Sequence, residues 1–105
     1  MAVSADRTRA LALSLDGAYD APHFDRTGFR TKRKMFATLG PTGLDLNLMF
    51  TPDLRDHYYE MAPEVFSPVP GGWGLKGATK CDLQKADEGL LLSALIAAHG
   101  LAVPK

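Results

Sequence analysis

Arg30, Lys32, Arg33 and Lys34 fall within five consecutive positions of a chain whose twelve basic and twelve acidic residues cancel. The wider stretch Arg26–Lys34 holds five basic residues in nine. Cations at that density on a projecting turn hold phosphate groups through charge-assisted hydrogen bonds, so a nucleic-acid backbone is the first partner to consider. Lys76 and Lys80 extend the basic patch if their hairpin lies alongside. The plainer reading is a solvated turn whose cations keep a sheet edge from aggregating. Trp73, the single tryptophan, is either a stacking platform for a base or a core anchor. Large aromatics are mostly buried, which favours the core.

Other chemistries find less support. Gly72-Trp-Gly-Leu-Lys-Gly77 matches the dinucleotide fingerprint in spacing. That fingerprint needs a strand before it and a helix opening after it, whereas Pro68 and Pro70 precede this one and a strand-like segment follows. His57 and Glu60 share a helix face with Asp53 and Asp56, with Glu64 nearby. Such a set can hold a divalent cation, but solvated acidic helix faces are common. Cys81 lies on the Thr79, Cys81, Leu83 side of a strand and is expected inward as a small hydrophobe. A nucleophile would need a base in reach, and no Cys/His signature, Ser/His/Asp elbow, paired CxxC or HExxH stands in the chain. His23 and His99 read as local hydrogen-bonders. The expectation is a non-enzymatic protein with no cofactor, no catalytic residue and no metal ligand.

The elements that position these residues follow from capping and periodicity. Ser4 caps a helix over about 5–15, with Asp6 in its first turn and Gly17 as its stop. Gly17 to Asp25 reads as a loop, with Tyr19, Pro22, His23 and Phe24 packed on the core surface. Strands over 27–31 and 34–39 flank a tight turn at Lys32-Arg33. Gly40-Pro-Thr-Gly43 is a second turn. Leu44–Phe50 alternates apolar and polar, the pattern of a half-buried strand. Thr51 and Pro52 start a helix that runs to about Met61 and stops at Pro63. Residues 64–77 read as loop or irregular strand, and 78–83 as a last strand. Asp87 and Glu88 open a helix with Leu91, Ala94, Leu95 and Ala98 on one face and Leu92 and Ile96 widening it. This order implies an α+β domain of two layers, an antiparallel sheet of about five strands with helices on one face.

At 105 residues the chain is expected to form a single domain over 1–105. Apolar residues make up 46% and charged ones 23%, an ordinary globular composition with no run approaching a membrane span. The start lacks a signal-peptide core and Cys81 is alone, so a reducing cytoplasmic setting is expected. The neutral total conceals a polarity, with residues 1–40 at net +3, 41–70 at −4 and 71–105 at +1. Opposed patches orient a small protein toward an anionic partner. A monomer or weak dimer is expected.

Ala21-Pro-His-Phe24, Lys34-Met-Phe-Ala-Thr-Leu39, Phe66-Ser-Pro-Val-Pro-Gly-Gly-Trp-Gly74, Asp82-Leu83 and Val103-Pro-Lys105 follow one another in an order and spacing that resemble the MmcQ/YjbR family. The resemblance covers nearly the whole chain. It implies a frataxin-like (CyaY-like) fold and a DNA-binding role through a double-wing motif, with the 30–34 turn as first wing. Two positions depart from the pattern. Ala78 stands where many members have an aromatic, usually Trp, and Lys32-Arg33 stands where many have Gly. The expected function is DNA binding through basic β-hairpin wings, with Arg30, Lys32, Arg33, Lys34, Lys76, Lys80 and Trp73 as contacts. The alternative is a protein-interaction or small-ligand module using the acidic helix 52–61 and the Pro68–Trp73 loop. A basic face broken by an apolar pocket near Trp73 would favour that alternative.

Overall fold

A computed structural model describes residues 2–103, so the end of the Val103-Pro-Lys105 motif lies outside the described residues. The order is α1 (Ala5–Leu13), β1 (Tyr19–His23), β2 (Arg26–Arg30), β3 (Met35–Leu39), β4 (Asp45–Met49), α2 (Pro52–Met61), β5 (Phe66–Pro68), α3 (Gly72–Leu75), β6 (Ala78–Asp82) and α4 (Glu88–Ala102). One antiparallel sheet takes the order β1-β2-β3-β4-β6-β5. The two-layer α+β architecture is as expected. The strand count is six rather than about five, because Tyr19–His23 pairs residue for residue with β2 instead of forming a loop. Residues 64–77 resolve into the short edge strand β5 and the one-turn helix α3.

Caps set the helix starts. The side chains of Ser4, Thr51 and Asp87 accept from Arg7 N, Leu54 N and Leu90 N respectively, each satisfying an amide that the helix leaves unpaired. Helix α1 ends at Leu13, two residues early, where the Ser14 hydroxyl turns back to the Leu11 carbonyl (2.7 Å). The α4 helix lies across β3 and β4, with α1 packed on α4 and α2 on β5 and β6. Phe29, Phe36, Leu46, Leu48, Phe66, Leu91 and Leu95 are fully buried between the layers. Tyr58 of α2 stacks on Phe50 and meets Phe66 edge-on, each at 5.0 Å between centroids. Its hydroxyl pairs with Ser93 Oγ of α4 at 2.8 Å, so a buried phenol keeps a partner.

A β-bulge sits where β2 meets β3. Phe29 pairs with Ala37 and Arg30 with Met35, so Phe36 is the extra residue. The bulge turns Phe36 inward beside Ala37, and Phe36 meets the His99 ring edge-on. It leaves Met35 on the opposite side. Both edge strands contain a proline, Pro22 in β1 and Pro68 in β5. The β5 bonds to β6 run through the Val65 carbonyl and the Val69 amide, so the nitrogen of Pro68 faces away from the sheet.

Candidate functional site

The helices cover one face of the sheet, and the other is open. Register assigns the residues of the open face: Arg26, Gly28 and Arg30 of β2, Met35 and Thr38 of β3, Asp45, Asn47 and Met49 of β4, and Ala78, Lys80 and Asp82 of β6. Across it runs a depression of about 190 Å³. Met35, Met49 and Ala78 make an apolar floor, with Asn47 among them. Trp73 stands at one end and Phe24 at the other.

Trp73 is 65% exposed, which corrects the expectation of a core anchor. The reason is in two glycines that follow it, Gly74 and Gly77. A Cβ on Gly74 would lie 1.8 Å from the Val69 carbonyl oxygen, and one on Gly77 would lie 2.2 Å from that of Phe50. Backbone, not the ring, therefore packs inward. Arg55 of α2 donates from Nη1 to the Gly74 carbonyl at 2.6 Å and locks the turn. Arg55 is a positioning residue that charge pattern did not reveal. Lys76 Nζ lies 6.0 Å from the Trp73 ring centroid, at the outer limit of a cation–π contact.

Phe24 is 95% exposed rather than packed on the core. It occupies the first of the two turn residues between β1 and β2, at φ 56°. Glycine is the usual occupant of such a turn position, because a side chain there crowds the backbone. The His23 ring supports it edge-on at 4.8 Å.

At the depression's rim, Arg26 donates from Nε to Thr38 Oγ1 (2.8 Å) and from Nη2 to the Thr38 carbonyl (2.9 Å) and Asp45 Oδ2 (2.8 Å). The Arg26–Asp45 pair is only about one-fifth exposed. Arg26 is thus spent on bracing β2, β3 and β4. Gly40 admits the carboxylate, since a Cβ there would clash with Asp45 Oδ1 at 2.4 Å.

The basic turn is anchored rather than free. Thr31 Oγ1 donates to the Ala102 carbonyl (2.5 Å) and accepts from Arg33 N (3.2 Å). Arg33 Nη1 donates to the Leu101 and Val103 carbonyls, each at 3.3 Å. A cation on the last carbonyls of a helix is a C-cap, so Arg33, exposed like Lys32 and Lys34, is tied to the end of α4 while they are not. Arg30 and Lys80 both stand on the open face, but three strands apart in the sheet order, about 14 Å at ordinary strand spacing. The floor of the depression lies between them. The basic residues therefore share a side without forming one continuous patch.

Cys81 is fully buried on the core side. Burial, with a smaller contribution from Asp82, pushes its thiol up to about 12, far from the range of a reactive thiolate. The His57 ring rests edge-on against Tyr58. His99 hydrogen-bonds the Asp16 carbonyl through Nε2 at 2.7 Å. His23, His57 and Cys81 do not meet in a cleft: His23 is at the β1–β2 turn, His57 on α2 and Cys81 in the core. Among the described residues, no three His, Cys, Asp or Glu side chains gather to hold a metal ion. No helix of the described residues is long and apolar enough to cross a membrane.

The fold has a counterpart among solved structures. The crystal structure of Deinococcus radiodurans protein DR2400, with the family-model domain DUF419, aligns with a TM-score of 0.79 at 20% identity, over 97% of this chain and 80% of that one. At that identity the likeness establishes the fold. No family model matches this chain, and no curated protein matches it.

Proposed function

We propose that this chain is a MmcQ/YjbR-like, non-enzymatic nucleic-acid-binding module whose contact surface is the open sheet face and its basic rim. The observation that carries this reading is the set of cations around the depression, on a face where Asp45 is already paired with Arg26 and Asp25 and Asp82 are the other carboxylates. Arg30 and Lys80 stand on the open face, with Lys32 and Lys34 at its β2–β3 end and Lys76 beside Trp73. The acidic residues Asp53, Asp56 and Glu60 belong to α2 on the helical layer. A polyanion crossing from Arg30 to Lys80 meets cations and exposed aromatic rings, passes Asp25 and Asp82 at the margins, and is turned away from the acidic α2. The resemblance noted in the sequence adds a DNA-binding expectation, with the interface shifted from the turn tip toward the sheet.

Fluorescence anisotropy of short labelled DNA, titrated with the protein at two salt concentrations, tests this. Salt-sensitive binding that weakens in a combined Arg30→Ala/Lys80→Ala variant is expected. Absence of binding at low salt would end the nucleic-acid reading. The apolar depression beside Trp73 breaks the basic face, the outcome that favours the second reading, a protein-interaction or small-ligand-binding site, and absence of nucleic-acid binding would bring that reading forward.

A further inference from the structure

We infer that the open-face depression captures an unpaired base of single-stranded DNA between Phe24 and Trp73. This rests on the nucleic-acid reading and specifies the form of the ligand. The volume is right for one ring system: an apolar cavity of about 150 Å³ accepts benzene, and this one is about 190 Å³. Its floor of Met35, Met49 and Ala78 is apolar, as the face of a base requires. Among the described residues the half-buried Asn47 amide makes no side-chain hydrogen bond, so it offers a donor and an acceptor to a base edge.

The flanking cations sit where a strand's phosphates would pass. Arg30 is directly opposite Met35 in register, and Lys80 directly opposite Asn47. A strand laid across the sheet between them places its backbone on charge and its base in the depression. A paired, stacked base cannot enter, so the site discriminates against duplex. The strand is taken as DNA in line with the proposed function on which this inference rests.

Phe24 supplies an independent observation. A large apolar ring that is almost wholly in solvent, on a backbone conformation suited to glycine, gains for the folded state little beyond its edge-on contact with His23. Strain of this kind gathers at binding sites, and contact with a base accounts for it.

The sole tryptophan is the reporter. The full chain is titrated with a short single strand of DNA, its duplex, the same strand with an abasic position, and an RNA strand. Anisotropy and Trp73 emission are followed together. Tighter binding of the single DNA strand, with a change in Trp73 emission that shrinks at the abasic position, is expected. Phe24→Gly removes one wall, and Ala78→Leu fills the floor without changing charge. Each should weaken single-strand binding roughly tenfold, with folding checked by circular dichroism. Equal binding of duplex and single strand with unmoved emission, or unchanged affinity in both variants, overturns base capture and leaves the nucleic-acid reading standing. Tighter binding of RNA overturns the assignment to DNA. No binding of any strand overturns both.

Discussion

Phe24 is held in a conformation that crowds any Cβ, so its replacement separates stability from binding. Phe24→Gly should raise the unfolding free energy by about 1 kcal/mol, because relief of left-handed backbone strain exceeds the flexibility that glycine adds to the unfolded chain. Urea denaturation followed by circular dichroism reads this as a higher midpoint at constant slope. Thr8 is a second uneconomical residue: its Oγ1 is buried with no hydrogen-bond partner among the described residues. Thr8→Val keeps the shape and removes the stranded hydroxyl, so about 1 kcal/mol of added stability is expected in the same assay. Cys81 sets an alkaline limit. Its thiol titrates at about 12 in the fold against 9.0 for the free group. The protonated form is favoured by folding, so its contribution is intact below pH 9.0 and is lost as pH rises through about 12. Stability should fall over that window in the native protein and less in Cys81→Ala. Native-state thiol labelling at neutral pH should be slow.

The element scale shows how a turn becomes a fixture. Arg33 and Thr31 fasten the β2–β3 turn to the end of α4. Arg33→Ala should therefore cost stability, about 1 kcal/mol for a lost cap, and hydrogen exchange should rise in the last turn of α4. Arg55→Ala should loosen α3 and shift Trp73 emission in the free protein, since the Gly74 carbonyl loses its donor. Helix α2 was fully legible in the chain, because Thr51, Pro52 and Pro63 punctuate it locally. The alternation of Leu46 and Leu48 placed β4 equally well, although Leu44 proved half-exposed. The β1 strand was not legible: Tyr-Asp-Ala-Pro-His has no alternation, and only pairing with β2 makes it a strand. Phe36 escaped too, since a bulge breaks the two-residue period on which strand reading depends. As for the site, the sequence named Trp73, Arg30 and Lys80. It could not reveal that two glycines turn the indole outward, or that Met35, Met49 and Ala78 converge beneath it.

For the whole molecule, the total charge is zero while five cations ring the open-face depression and three carboxylates line α2. Such a body binds by orientation, so affinity should depend on salt more than its net charge suggests. Lys80→Ala should flatten the logarithmic salt slope by about one, for one phosphate contact, as measured by anisotropy over a salt series. The two border prolines act on the same scale. With a ring at Pro22 and another at Pro68, neither border offers a full row of amide donors to a neighbouring chain. Lateral accretion of one molecule onto another is stopped at both margins, which lets a protein keep a broad sheet face bare without seeding fibres. Pro68→Val would return an amide hydrogen to the outer margin of β5. Its expected phenotype is colloidal rather than functional, a concentrated stock that turns turbid in light scattering while the parent stays clear.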